Sequence, residues 1–356
     1  MNLRRLIVML LIFPPLGLSA AIQELDPAGG GGEPPLFSGN VPLALDFIME
    51  KKALCRRPDR KPCPDAPATL VYRDAQGTEH RVAANVRVRG RWKRENGNCR
   101  FPALFVFFSA VDEDSLFTGH DMLPLTTHCQ PNKEYEQYVL KEFLGYRILN
   151  LLTDKSLRVR LVKLSYQTPG ARTKPVVRYG FFTEHFHSMA RRHNAEVWKP
   201  KKFNPLEADP FDAALVALFQ FMIGNTDWSS IYGHNVVVIR DRFGLPTPVP
   251  FDLDFSGLVN ARYAGPPPNL PLSSVRQRLY RGMCRTDTDW GQLFRYFEGK
   301  REAIMALLEE VPALSKQHRK RAANYLTDFY KLLDTPTMRQ QRIIAACRGQ
   351  ASASGI

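Results

Sequence analysis

The sequence predicts an α+β protein with its strands gathered in the first half and its helices in the second, arranged in two layers or two lobes. Three observations carry that expectation. Apolar runs with partial alternation recur through residues 41–108. A helix-period segment, residues 134–152, follows them and precedes two further strand-like runs. From Asp209 onward the pattern turns helical, broken by one short hairpin.

Taken in order, residues 1–20 read as a secretory signal. Arg4 and Arg5 form a positive start, Leu6 to Leu18 an apolar core broken by Pro14 and Pro15, and Ser19-Ala20-Ala21 a small-residue cleavage site. The apolar run is short and proline-interrupted for a membrane span, an uncleaved anchor being the competing reading. Residues 21–36, containing DPAGGGGEPP, read as a flexible linker. The expected location is therefore outside the cytoplasm, periplasmic or secreted, with no membrane span after signal cleavage.

Strands are expected at 41–49, 68–73, 79–92 and 101–108. In the third, Val82, Ala84, Val86 and Val88 share one face, while Arg81, Arg87, Arg89 and Arg91 share the other. In the helix 134–152, Val139, Leu140, Phe143 and Leu144 recur at helical spacing, as do Ile148 and Leu151. Glu136 and Arg147 fall on or near that apolar face, and Glu142 on the far side. Strands at 157–167 and 176–183 lead into an irregular basic region reaching about residue 205. The helix 210–224 starts from Asp209 as N-cap and stops at Gly224. Strands at 234–240 and 247–252 follow, and helices at 289–309, 315–334 and 336–346 complete the chain. The expected division is 37–184, 185–346 and a tail, 347–356.

The 356-residue chain carries a net charge of +14, and loss of residues 1–20 lowers it by two, to +12. A basic balance of this size points to an anionic partner, such as a phosphorylated ligand or an acidic polymer. Basic runs at Arg191-Arg192, Lys199–Lys202 and Lys316–Arg321 are dispersed and match no recognised nucleic-acid motif, so specific nucleic-acid binding is not expected. The six cysteines, Cys55, Cys63, Cys99, Cys129, Cys284 and Cys347, are even in number and follow an export signal. Disulfides are expected, and chain order suggests Cys55–Cys63, Cys99–Cys129 and Cys284–Cys347.

Chemistry concentrates in residues 221–257, FMIGNTDWSSIYGHNVVVIRDRFGLPTPVPFDLDFSG. A buried helix runs into Gly224-Asn225-Thr226-Asp227, and a hairpin runs from His234-Asn235 back to Pro250-Phe251-Asp252-Leu253-Asp254. That layout brings Asp227, Asn235 and Asp252 to one end of the hairpin. A carboxylate there serves as base, and an amide oxygen with further carboxylates suits Mg²⁺, which prefers oxygen ligands. Phosphoryl transfer uses such a set, because its catalysis is mostly positioning and charge neutralisation. The plainer reading makes these aspartates caps and turns.

These residues, in this order and spacing, resemble the catalytic core of atypical kinases of the HipA type and, more closely, the spore-coat CotH kinase-like family. The resemblance covers most of 40–260. It implies a two-lobed atypical protein-kinase-like fold, with a strand-rich N-lobe and a helical C-lobe. It implies Asp227 as the catalytic aspartate and Asn235, Asp252 and Asp254 as holders of Mg²⁺ or Mn²⁺, with ATP or another phosphorylated donor. One of Arg87, Arg89, Arg91 and Lys93 would grip phosphate, and Glu136 or Glu142 would be its acidic partner. Seven residues separate Asp227 from Asn235, more than in many kinases, and no Gly-rich phosphate loop precedes the sheet. The competing expectation is an inactive scaffold or binding protein of the envelope; a third is a basic module for anionic polymers. Glu184, His185, His187 and His193 form a weaker candidate metal cluster. Arg276, Arg278, Tyr280 and Arg281 either flank the cleft or make one basic helix face. There is no GxSxG, HExxH or Walker A motif, which removes ordinary serine hydrolases, zincins and P-loop enzymes.

Overall fold

A computed structural model describes residues 35–55, 64–90, 99–242 and 244–349. The signal segment, the linker up to residue 34, Arg91, Lys93, Cys63 and the end of the tail lie outside the described residues.

A short helix α1 (Pro35–Ser38) precedes seven strands: β1 (Leu43–Met49), β2 (Ala66–Arg73), β3 (Glu79–Val88), β4 (Leu104–Phe107), β5 (Met122–Thr126), β6 (Val159–Gln167) and β7 (Val176–Thr183). They form a closed barrel in the order β1-β2-β3-β4-β5-β7-β6. Parallel pairing of β1 with β6, from Leu43 opposite Val162 to Ile48 opposite Gln167, closes it. The alternation read from β3 holds: Val82, Ala84, Val86 and Val88 are buried and the intervening residues are not. Leu45, Phe47, Leu70, Val86, Val106, Leu123 and Leu164 pack in the barrel's core.

Helix α2 (Lys133–Leu152) lies between β5 and β6 in sequence and packs on β6 and β7. Asn132 starts it by accepting the Glu134 amide at 2.9 Å. After β7 come α3 (Phe186–Arg192), β8 (Ala195–Trp198), α4 (Pro210–Ile223), β9 (Val236–Asp241) and β10 (Pro246–Pro250). Strands β8, β9 and β10 make a small antiparallel sheet in the order β10-β9-β8. Prolines at 246, 248 and 250 suit β10 to the edge, where an absent N–H costs no ladder bond. The last helices are α5 (Trp290–Gly299), α6 (Arg301–Glu310), α7 (Lys316–Asp334) and α8 (Pro336–Arg339), the last running into a π turn at Gln340–Ile344.

The expected two-lobed, kinase-like fold is not what the chain adopts. Its strand-rich part is a closed barrel rather than an open N-lobe sheet, and the described residues belong to one compact unit. The reason lies in β6 and β7, which are apolar on both faces. Val162, Leu164 and Phe182 join the barrel core, whereas Val159, Leu161 and Phe181 join a second core with α2 and α4 to α7. One wall thus serves both halves, and α2 is sandwiched against it. That sandwiching also overturns the expected solvent-facing side of α2: Lys141 and Glu142 are each 3% exposed.

Two of the expected disulfides are present, Cys99–Cys129 and Cys284–Cys347. Cys55 is also disulfide-bonded, and its expected partner Cys63 lies outside the described residues. Among the described residues no helix is long and apolar enough to cross a membrane.

Candidate functional site

The Asp227 loop begins where α4 ends. Gly224 closes that helix in the left-handed region, φ 65°, and a Cβ there would lie 1.9 Å from the Tyr325 hydroxyl oxygen. Glycine is therefore required twice over, by backbone and by space. The loop is stitched by main-chain bonds to the Asp252–Gly257 segment: the Gly257 amide donates to the Gly224 carbonyl at 3.1 Å, Leu258 to Ile223 at 2.9 Å, and Asn225 bridges Ser256. The Tyr325 hydroxyl sits against both glycines and donates to the Arg276 carbonyl at 3.1 Å.

Within the loop, Asn225 Oδ1 accepts the Asp227 amide at 3.0 Å. The Asp227 carboxylate faces the head of β9. His234 Nε2 lies 2.8 Å from Oδ1, and Asn235 Nδ2 donates to Oδ2 at 3.1 Å and to the Asp227 carbonyl at 2.8 Å. Because the Asn235 amide nitrogen faces two acceptors, its Oδ1 is left pointing elsewhere. Asn235 and Asp252 both occupy the left-handed region, φ 51° and 57°, and the Phe251 amide donates to the Asn235 carbonyl at 3.0 Å. Two strained non-glycine residues side by side at a hairpin end is a pattern common at functional sites.

A second polar group lies behind Asp252. The Asp252 amide donates to the Tyr146 hydroxyl at 2.9 Å, and the Tyr263 hydroxyl donates to Asp254 Oδ2 at 3.0 Å. Burial pushes the Tyr146 phenol well up, and the nearby Glu142 and Asp252 charges push it further. Tyr263 is raised by burial and then by Asp254, Glu142 and Asp252. Both phenols thus stay neutral beside these carboxylates, Tyr146 accepting from the Asp252 amide and Tyr263 donating to Asp254. Lys141 anchors the following segment by donating to the Val259 carbonyl, and burial lowers its ammonium to about 8.

The expected residues are partly brought together. Asp227 and Asn235 are hydrogen-bonded to each other, and Asp252 follows Phe251, whose amide bonds the Asn235 carbonyl; Asp254 and Glu142 both adjoin Tyr263. Arg89 bonds Thr126 Oγ1 at 2.8 Å, and its charge reaches Tyr146. Arg87 is engaged elsewhere, holding Asp65 in a fork at 2.5 and 2.9 Å. Glu136 accepts the Tyr179 amide at 2.7 Å and so fastens α2 to β7. Arg91 lies outside the described residues. His185 and His187 sit at the start of α3 rather than on a strand, and Glu184 is paired with Arg192 at 2.9 Å. Among the described residues no group of three or more His, Cys, Asp or Glu side chains is placed to hold a metal. Asn235, Asp252 and Asp254 each carry oxygen donors, the ligand type that Mg²⁺ and Mn²⁺ prefer.

Three supporting residues, Tyr146, Tyr263 and Tyr325, were not singled out by the sequence; Arg281, which was, lies in non-helical chain rather than on a helix face and donates to the Thr226 carbonyl. Arg278 stacks on Tyr325, 3.7 Å from its ring centre, and bonds the Met222 carbonyl in the last turn of α4. The basic cluster after Asp252 therefore includes posts beneath the Asp227 loop. Beside the site a groove of about 300 Å³ is lined by Phe186, Trp198, Phe203, Tyr232 and Phe251. No protein-family profile matches the chain, and no curated protein matches it.

Proposed function

We propose that the protein is a metal-dependent phosphotransferase acting on a hydroxyl acceptor, with ATP or another phosphorylated donor. The observation that supports this reading is the bond between Asp227 and Asn235 at the hairpin end, beside the Phe251 backbone that leads into Asp252 and Asp254. It rests on these local residues, and on the short motif likeness to CotH-type proteins, not on a kinase-like fold.

Mg²⁺ or Mn²⁺ would be held by Asn235 Oδ1, Asp252 and Asp254, and would neutralise charge on the donor's phosphate oxygens. Asp227 takes the acceptor's proton on its carboxylate, whose plane His234 and Asn235 fix. Tyr146 holds the Asp252 backbone, and Tyr263 orients Asp254. The aromatic groove flanks His234 and Asn235 and suits the non-reacting part of the acceptor.

The test is thermal stability of the full chain with ATP and other nucleotides, with and without Mg²⁺ or Mn²⁺, compared with Asp252→Ala. A metal-dependent rise lost in the variant is expected, since a ligand that binds only the native state stabilises it by mass action. No rise under any condition removes the nucleotide reading. A rise without phosphoryl transfer leaves the alternative, a catalytically inactive binding protein.

A further inference from the structure

Strand β8 is an open edge of the small sheet, whose order is β10-β9-β8. None of its residues is buried, and its outward N–H and C=O groups make no hydrogen bond among the described residues. It stops at Trp198, opposite Val238, whereas β9 already starts at Val236. The groove of about 300 Å³ lies at that step, and residues 198–200 and 236–238 line it.

The lining is aromatic. Phe186 and Phe251, both half-buried, lie 4.9 Å apart between ring centres. Arg240 covers one face of Trp198, 3.8 Å from its ring centre. Tyr232 is 68% exposed. The charge is of one sign: Lys199 lines the groove, and Lys202 Nζ lies 6.0 Å from the Tyr232 ring centre. Both lysines are exposed, and neither is in an ion pair among the described residues. No carboxylate is among the described lining residues, and Glu196 on β8 stands across from Arg240.

These features together select one kind of occupant. A free strand edge pairs with an extended main chain, an aromatic groove takes one of its side chains, and lysines favour acidic neighbours. A small molecule would leave the edge unused.

We infer that this groove docks an extended, acidic peptide segment through one aromatic side chain, with its main chain along β8. Gly233 of the lining leads directly into His234 and Asn235, so the segment brings a neighbouring hydroxyl towards Asp227. The inference rests on the reading of the hairpin end as a phosphotransfer site, and it names the acceptor that site takes.

The probe is a short peptide with one tyrosine at its centre and glutamates on both sides, titrated by calorimetry into the full chain without donor or metal. Three control peptides replace the glutamates by lysines, replace the tyrosine by alanine, or carry methyl groups on the main-chain nitrogens. The acidic peptide is expected to bind about tenfold more tightly than each control. Lys199→Glu with Lys202→Glu, both exposed positions, weakens it about tenfold and strengthens the lysine peptide. Tyr232→Ser weakens it about two- to tenfold. Equal binding of the glutamate and lysine peptides, binding indifferent to the substitutions, or no saturable binding overturns the inference. Displacement of the peptide by adenosine does so too, because the groove then seats the donor. Label transfer is read separately. Peptide binding with no transfer from any donor keeps the docking site and removes the phosphotransfer reading; Asp227-dependent transfer without peptide binding removes the docking site alone.

Discussion

The barrel and the hairpin end hold their backbones by different means. In the barrel every strand has neighbours in continuous register, and a strand such as β3 alternates buried and exposed residues throughout. At the hairpin end two acidic loops are joined by a few main-chain bonds, a buried tyrosine between two glycines, and two non-glycine residues at positive φ. A ladder spreads its stability over many equivalent bonds. The loops depend on single residues that no neighbour can replace, and they hold the residues of the proposed site.

The comparison is most easily broken at Gly224. Gly224→Ala sets a methyl against the Tyr325 hydroxyl in a left-handed backbone, and a loss of about 3 kcal/mol in urea unfolding is expected. A loss under about 0.5 kcal/mol would mean the stitching is slack. Tyr146→Phe comes next. It removes the acceptor of the Asp252 amide in a buried setting, and about 1–3 kcal/mol should be lost. Its metal-dependent thermal shift should shrink as well, since the Asp252 backbone is no longer held.

The barrel contributes a pH signature. Burial, with the Arg178 and Lys51 charges, lowers His128 from 6.5 to about 3, so it is neutral in the folded protein. The unfolded chain then binds the extra proton between those values, and stability is full above pH 6.5 and falls as pH drops towards about 3. His128→Gln should flatten that slope without abolishing it, because burial also lowers His120, His185, His193 and His318. An unchanged slope would remove His128 from this role. The smallest effect is expected at His234, whose pair with Asp227 is largely exposed: His234→Ala should change stability by less than about 0.5 kcal/mol while lowering any transfer rate.

Much of the local structure was legible. The strand at 176–183 and the helix 210–224 are where their apolar patterns put them, within a residue. Strands β5 and β8 were not foreseen, because MLPLT is short and holds a proline, and AEVW sits within a basic stretch. Barrel closure was illegible for a deeper reason. Alternation assigns faces, whereas the β1–β6 pairing joins strands more than a hundred residues apart, and nothing in either strand names the other. The same limit misplaced Glu142: a helix packed on several sides has no solvent face for periodicity to find. At the proposed site, the bond between Asp227 and Asn235 was foreseeable because both stand in short motifs at the end of one hairpin. Tyr146, Tyr263 and Tyr325 were not, since a tyrosine under a loop looks like any core aromatic until its hydroxyl partner is known.

The central claim is most directly tested by incubating the full chain with ATP labelled on the terminal phosphate, Mn²⁺ or Mg²⁺, and a mixture of hydroxyl acceptors that includes the chain itself. The account predicts metal-dependent transfer of label, abolished in Asp227→Asn while that variant keeps the nucleotide- and metal-dependent rise in melting temperature. Transfer that persists in Asp227→Asn, or no label moved from ATP or any other phosphorylated donor, would contradict it.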